Sequence, residues 1–200
     1  MALPHSANIV IMASNYNPSI VSKEWLYQRG IFTESVDNFV HTPMLALVEN
    51  QNFGFMVDEQ RLQIVIKRVT QDNLTNSNVI AQRFIDVLPE TPYKAVGLNY
   101  SFKLAEKSCN LRGLWVPKAA KLKAVFSQDY QVGAMVVFSF GGFAATFTVT
   151  PSLTKGQPIR IGFNFHANVA NTIEVKARIA SQTTTLQKAE SIIQELCKNG

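Results

Sequence analysis

Charge is scarce in this chain: of 200 residues only 16% are Asp, Glu, Lys or Arg, while 46% are hydrophobic. That balance excludes a disordered polyelectrolyte and points to a folded globule, which at this length buries about 70% of its unfolded surface. Long apolar runs are lacking too. Each is broken well short of the roughly 20 residues a membrane helix needs, so no transmembrane segment and no membrane partner are expected. The amino terminus, Met1-Ala2-Leu3-Pro4-His5, has neither a basic start nor an apolar stretch ending in small residues. It does not read as a secretion signal, and the expectation is a cytoplasmic protein. Cys109 and Cys197 are the two cysteines, without metal-ligand spacing, and free thiols are expected.

Catalytic signatures are missing as well. Histidine occurs three times, as His5, His41 and His166, and none stands at ligand spacing from another histidine, a cysteine or a carboxylate. His41 reads as part of a connection beside Thr42-Pro43. There is no Gly-x-Ser-x-Gly turn, no cysteine with a nearby base and no phosphate loop. The carboxylates of Asp58-Glu59 belong to a turn between the runs Phe53–Val57 and Leu62–Ile66. No catalytic residue, cofactor or metal is assigned, and the reading is non-enzymatic.

What is present is alternation. From Ala95 to Leu104, Val96, Leu98, Tyr100, Phe102 and Leu104 share one side, and Ala95, Gly97, Asn99, Ser101 and Lys103 share the other. A half-buried strand requires this period of two. The pair Gly141-Gly142 predicts a two-residue hairpin, with Phe140 opposite Phe143, Phe138 opposite Ala145 and Val136 opposite Phe147. In Ile159–Val169, Ile161, Phe163, Phe165 and Ala167 face inward, and Arg160, Asn164, His166 and Asn168 outward. The phenylalanines therefore belong to the core. They are on the wrong side for base stacking, which needs aromatics on an open face.

Helical stripes supply the matching layer. Asn17-Pro18 predicts a short helix carrying Val21, Trp25 and Leu26 and ending at Gly30. Ile80, Phe84, Val87 and Leu88 recur at helical spacing until Pro89, and Leu186, Ala189, Ile193 and Leu196 do so near the carboxyl end. The order of elements repeats in residues 1–92 and 93–200. The expectation is an α+β fold of two similar lobes of antiparallel sheet, each covered on one face by helices and packed as one body.

The charge that exists is asymmetric: residues 1–100 hold seven Lys/Arg against nine Asp/Glu, and residues 101–200 hold twelve against five. Lys103, Lys107, Arg112, Lys118, Lys121 and Lys123 fall in one stretch around Trp115 and Pro117. That stretch is a candidate basic patch for nucleic acid or an acidic partner, although a solvated connection explains it more simply. A second candidate is the polar side of the sheet, with Asn99, Ser101, Asn164, His166 and Asn168, which is able to face water, a polar ligand or another subunit.

The run Tyr93-Lys94-Ala95-Val96-Gly97-Leu98-Asn99-Tyr100, after a helix ending Phe84-Ile85-Asp86-Val87-Leu88, resembles the centre of an uncharacterised, sporadically distributed family of microbial hypothetical proteins. The late strand departs from it, reading Gly162-Phe163-Asn164-Phe165 without acidic residues. The resemblance implies a fold and lends no activity, site residue or cofactor. Three functions follow in order of preference. The first is a protein acting through protein–protein interaction or self-assembly as a homo-oligomer. The second is a ligand-binding or hydrolase-like pocket between the lobes, and the third a basic nucleic-acid-binding accessory protein.

Overall fold

The computed structural model describes residues 4–104, 122, 125, 132–151 and 157–198. Among the described residues the fold is α+β, with a nine-stranded antiparallel sheet and the four α-helices named below. The strands are β1 (Ser6–Ala13), β2 (Asn38–Thr42), β3 (Leu45–Glu49), β4 (Phe53–Asp58), β5 (Arg61–Ile66), β6 (Tyr93–Leu104), β7 (Ala134–Phe140), β8 (Phe143–Thr150) and β9 (Ile159–Asn168). The helices are α1 (Lys23–Gln28), α2 (Gln71–Val87), α3 (Thr172–Ala180) and α4 (Gln182–Lys198).

Both halves belong to one continuous sheet, because β1 pairs with β6 along Ser6–Ala13. Outward from that junction the order is β1-β5-β4-β3-β2 on one side and β6-β9-β8-β7 on the other. Each half therefore sets its first strand at the junction and its last strand beside it.

The hairpin at Gly141-Gly142 forms with φ values of 58° and 78°, and its register pairs Phe140 with Phe143, Phe138 with Ala145 and Val136 with Phe147. A turn with positive φ at both central residues matches the twist of the flanking strands, and glycine adopts it without steric cost. On the helix side, Ile9, Ile11, Phe55, Leu98, Phe102, Phe163 and Phe165 are fully buried. Phe165 sits among the rings of Tyr100, Phe138, Phe140 and Phe143 at 6.0–6.2 Å. The cover consists of Ala81, Phe84 and Ile85 from α2, Val175 and Ile179 from α3, and Ala189 and Ile193 from α4.

Several expectations are corrected. His41 lies in β2 rather than a connection, and β2 and β3 form a hairpin through Pro43-Met44. The first helix is broken into a 3-10 turn, Pro18–Ile20, and α1, because the Ser22 side chain caps α1 by accepting from the Trp25 amide. Thr172–Ala180 is a separate helix capped by Asn171. Cys197 is disulfide-bonded, which overturns the free-thiol expectation, and Cys109 lies outside the described residues.

A polar knot fixes helices to sheet. Tyr100 Oη donates to the Gln182 carbonyl at 2.7 Å and lies 2.8 Å from Thr185 Oγ1, while Gln182 Nε2 reaches Ser77 Oγ at 3.3 Å. Burial alone makes such groups costly unless each finds a partner. No helix among the described residues is long and apolar enough to cross a membrane.

Candidate functional site

Helices α1–α4 lie against one face of the sheet, so alternation sends the other residues of each strand to the opposite face, which is open among the described residues. The register stacks these side chains into rows that cross the strands. One row runs Asn8, Asn99, Asn164, Thr146 and Val137, and the next Ser6, Ser101, Gly162, Thr148 and Met135. Beyond them Lys103 lies opposite Arg160, and Arg160 opposite Thr150.

The three asparagines form a hydrogen-bonded chain across the junction. Asn164 Nδ2 donates to Asn99 Oδ1 at 2.6 Å, and Asn99 Nδ2 donates to Asn8 Oδ1 at 2.8 Å. Each amide is held by its neighbour, so the chain is a rigid polar strip rather than three independent rotors. A groove with a volume of about 240 Å³ follows it, its floor including Ser6, Asn8, Ser101, Thr148 and Gly162. Glycine is required there because a Cβ at residue 162 would come within 2.7 Å of Thr148 Oγ1, which already donates to the Gly162 carbonyl at 3.3 Å.

Thus Asn99, Ser101 and Asn164, expected on the polar side, do meet in one groove. His166 and Asn168 share the face further along β9, with His166 Nε2 3.3 Å from Asn168 Oδ1. Of the basic stretch, Lys103 is exposed at the end of β6, whereas Lys107, Arg112, Lys118, Lys121 and Lys123 lie outside the described residues. Sequence reasoning missed Asn8 as a member of the polar strip. Its signal is there in hindsight, since Ser6 and Asn8 alternate with the buried Ala7 and Ile9. It also missed Arg160 as the cross-strand partner of Lys103.

The two outer edges of the sheet differ. At β2, a five-residue strand, His41 Nε2 lies 3.1 Å from the Pro18 carbonyl, and the 3-10 turn packs against the strand. At β7, a seven-residue strand, Met135 is 71% exposed, Val136 42% and Val137 70%. Among the described residues no other strand lies outside β7 in the sheet order. Its inner side is held by aromatic packing on Phe165 from Phe138 and Phe140, and Lys188 Nζ lies 5.7 Å from the Phe140 ring centroid.

Among the described residues no cluster of three or more His, Cys, Asp or Glu side chains is arranged to hold a metal ion. No family model and no curated protein matches this chain. The open face and the edge must therefore speak through their own chemistry.

Proposed function

We propose that this protein is non-enzymatic and acts by self-assembly, pairing the edge strand β7 with β7 of a second copy. The observation that carries this reading is an apolar edge that no strand of the described residues pairs. Sheet edges are normally blunted by charge, proline, a bulge or a covering segment, because unpaired backbone groups recruit other strands. The sequence Ala134-Met135-Val136-Val137-Phe138-Ser139-Phe140 has no charged residue and no proline, and its ladder with β8 is unbroken.

A second copy is the occupant that β7 itself fits. In an antiparallel pair centred on Val137, Ala134 meets Phe140 of the other copy, Met135 meets Ser139, and Val136 meets Phe138. Each larger side chain faces a smaller one, and no like charges meet. The repeat seen in the sequence belongs to the same reading, supported by the matching strand order on the two sides of the β1–β6 junction. The family resemblance remains a proposal on fold.

A cytoplasmic setting is set against the disulfide at Cys197, since disulfides persist in oxidising compartments. Thiol titration of protein isolated under alkylating conditions decides between them.

The test of assembly is mass by light scattering across a concentration series. The wild type should be dimeric and Val137→Lys monomeric with unchanged circular dichroism. A wild type that stays monomeric at the highest soluble concentration overturns the proposal.

A further inference from the structure

On the open face of the first half, cations stand beside carboxylates. Arg61 Nε lies 3.0 Å from Asp58 Oδ2, and Lys67 Nζ lies 3.2 Å from Glu49 Oε1. The second half breaks this pattern. Lys103 and Arg160 are direct cross-strand partners, both exposed, and neither takes part in an ion pair. The outward positions of β6, β7, β8 and β9 contain no Asp or Glu at all. Like charges set opposite each other on one sheet face repel, and among the described residues no carboxylate on this part of the face offsets them.

The neighbouring groove supplies the rest of a site. A recess of about 250 Å³ bordered by Lys103, Thr150, Gln157 and Arg160 adjoins the rows that floor the groove. Beyond the cations come Ser101, Gly162 and Thr148, then Asn99, Asn164 and Thr146. The floor thus offers hydroxyls and amides, which both donate and accept, with a depression that glycine keeps open. Among the described residues it exposes no aromatic ring for stacking a base, since Phe163 and Phe165 are buried on the other side.

We infer that this groove binds a small anionic polyol. Its phosphate or carboxylate sits between Lys103 and Arg160, where the guanidinium offers two parallel N–H donors. Its hydroxyls lie along the Ser101, Thr148 and Asn99 floor. The site is independent of the β7 edge, so either proposal stands or falls alone.

The experiment is NMR titration of the full-length protein with ribose 5-phosphate, gluconate, inorganic phosphate and ribose at about 150 mM salt, where diffuse surface attraction is screened. Ribose 5-phosphate or gluconate should bind saturably and shift the amides of Ser101, Thr148 and Gly162. The one that binds identifies the charged group. Arg160→Gln and Lys103→Gln should each weaken that binding about tenfold or more, the scale on which one charge-assisted contact is read in an affinity. Arg61→Gln, which removes a paired cation on the first half, should leave it unchanged. Thr148→Val should weaken the polyol and spare inorganic phosphate. Absence of saturable binding by both anionic polyols overturns the inference. So does equal loss with Arg61→Gln, or inorganic phosphate binding as tightly as the best polyol.

Discussion

The hydroxyl of Tyr100 meets the carbonyl of Gln182 at 2.7 Å, joining the central strand β6 to the first residue of α4 across 82 positions of sequence. Thr185 Oγ1 shares the same hydroxyl at 2.8 Å, and Gln182 and Thr185 are both 1% exposed. Replacing Tyr100 with Phe keeps the ring and removes the bond, leaving buried polar groups short of a partner. The expected cost is about 1–3 kcal/mol in urea denaturation. Tyr27 provides the contrast, since its hydroxyl donates to the Glu34 carbonyl at 2.8 Å on the surface. There Tyr27→Phe should cost less, because water replaces the lost partner.

Alkaline pH should unfold the protein through the same buried phenols. Burial pushes the hydroxyls of Tyr16 and Tyr100 well above their ordinary range, and burial likewise raises Tyr93 to about 12. A phenol whose folded pKa is raised stabilises the fold fully below its unfolded value, near 10, and loses that contribution as pH climbs toward the folded value. The contribution of these phenols should therefore be constant through neutral pH and fall above about pH 10, on the order of 1 kcal/mol per pH unit for each of Tyr16 and Tyr100. Denaturant midpoints measured from pH 8 to pH 12 check this. In the Tyr100→Phe variant the alkaline slope should be shallower than in wild type.

Phe165 links the core to the edge. It is fully buried, and the rings of Phe138 and Phe140 on β7 stand edge-on to it at 6.1 and 6.2 Å. Phe165→Ala should cost about 3–5 kcal/mol, as large-to-small changes of a buried aromatic do. Phe147, 2% exposed and 5.0 Å from the Phe163 ring, belongs to the same class, and Phe147→Ala should fall in the same range of about 3–5 kcal/mol. Hydrogen exchange separates the two variants. Phe165→Ala should speed exchange along β7 more than along β1, because both inner aromatic rings of β7, Phe138 and Phe140, rest on that ring while β1 makes no ring contact with it.

Long alternating strands and the glycine hairpin were legible in the sequence because one physical rule, the period of two, governs a strand with one buried face. The register of β7 on β8 follows from Gly141-Gly142 alone. Shorter elements escaped for identifiable reasons. In β2, Asn38-Phe39-Val40-His41-Thr42 is exposed on both sides apart from a half-buried Phe39, so no apolar alternation marks it. In α3, only Val175 and Ile179 are buried, too few to mark a stripe over nine residues. The joining of both halves into one sheet is a long-range pairing of Ser6–Ala13 with β6, which no local pattern encodes. The polar strip was half visible: Asn99 and Asn164 show in their own strands, but their hydrogen bond and its extension to Asn8 depend on that pairing.

The register of the proposed assembly can be read covalently. In a two-fold antiparallel pair, the residue on the axis faces its own copy, with Cα atoms about 4.5–5.5 Å apart, inside the range a disulfide spans. Centring on Val137 makes Val137→Cys the variant that links to itself under mild oxidation. Met135→Cys should not, because its opposite number is Ser139. A mixture of Met135→Cys and Ser139→Cys proteins should instead give the mixed dimer, with little of either self-linked product. These outcomes, read on non-reducing gels against the wild type with its own two cysteines, fix the axis. A dimer by light scattering with equal self-linking at 135 and 137 would keep the assembly and reject the centre, whereas Val137→Cys that stays unlinked in a monomeric protein would reject both.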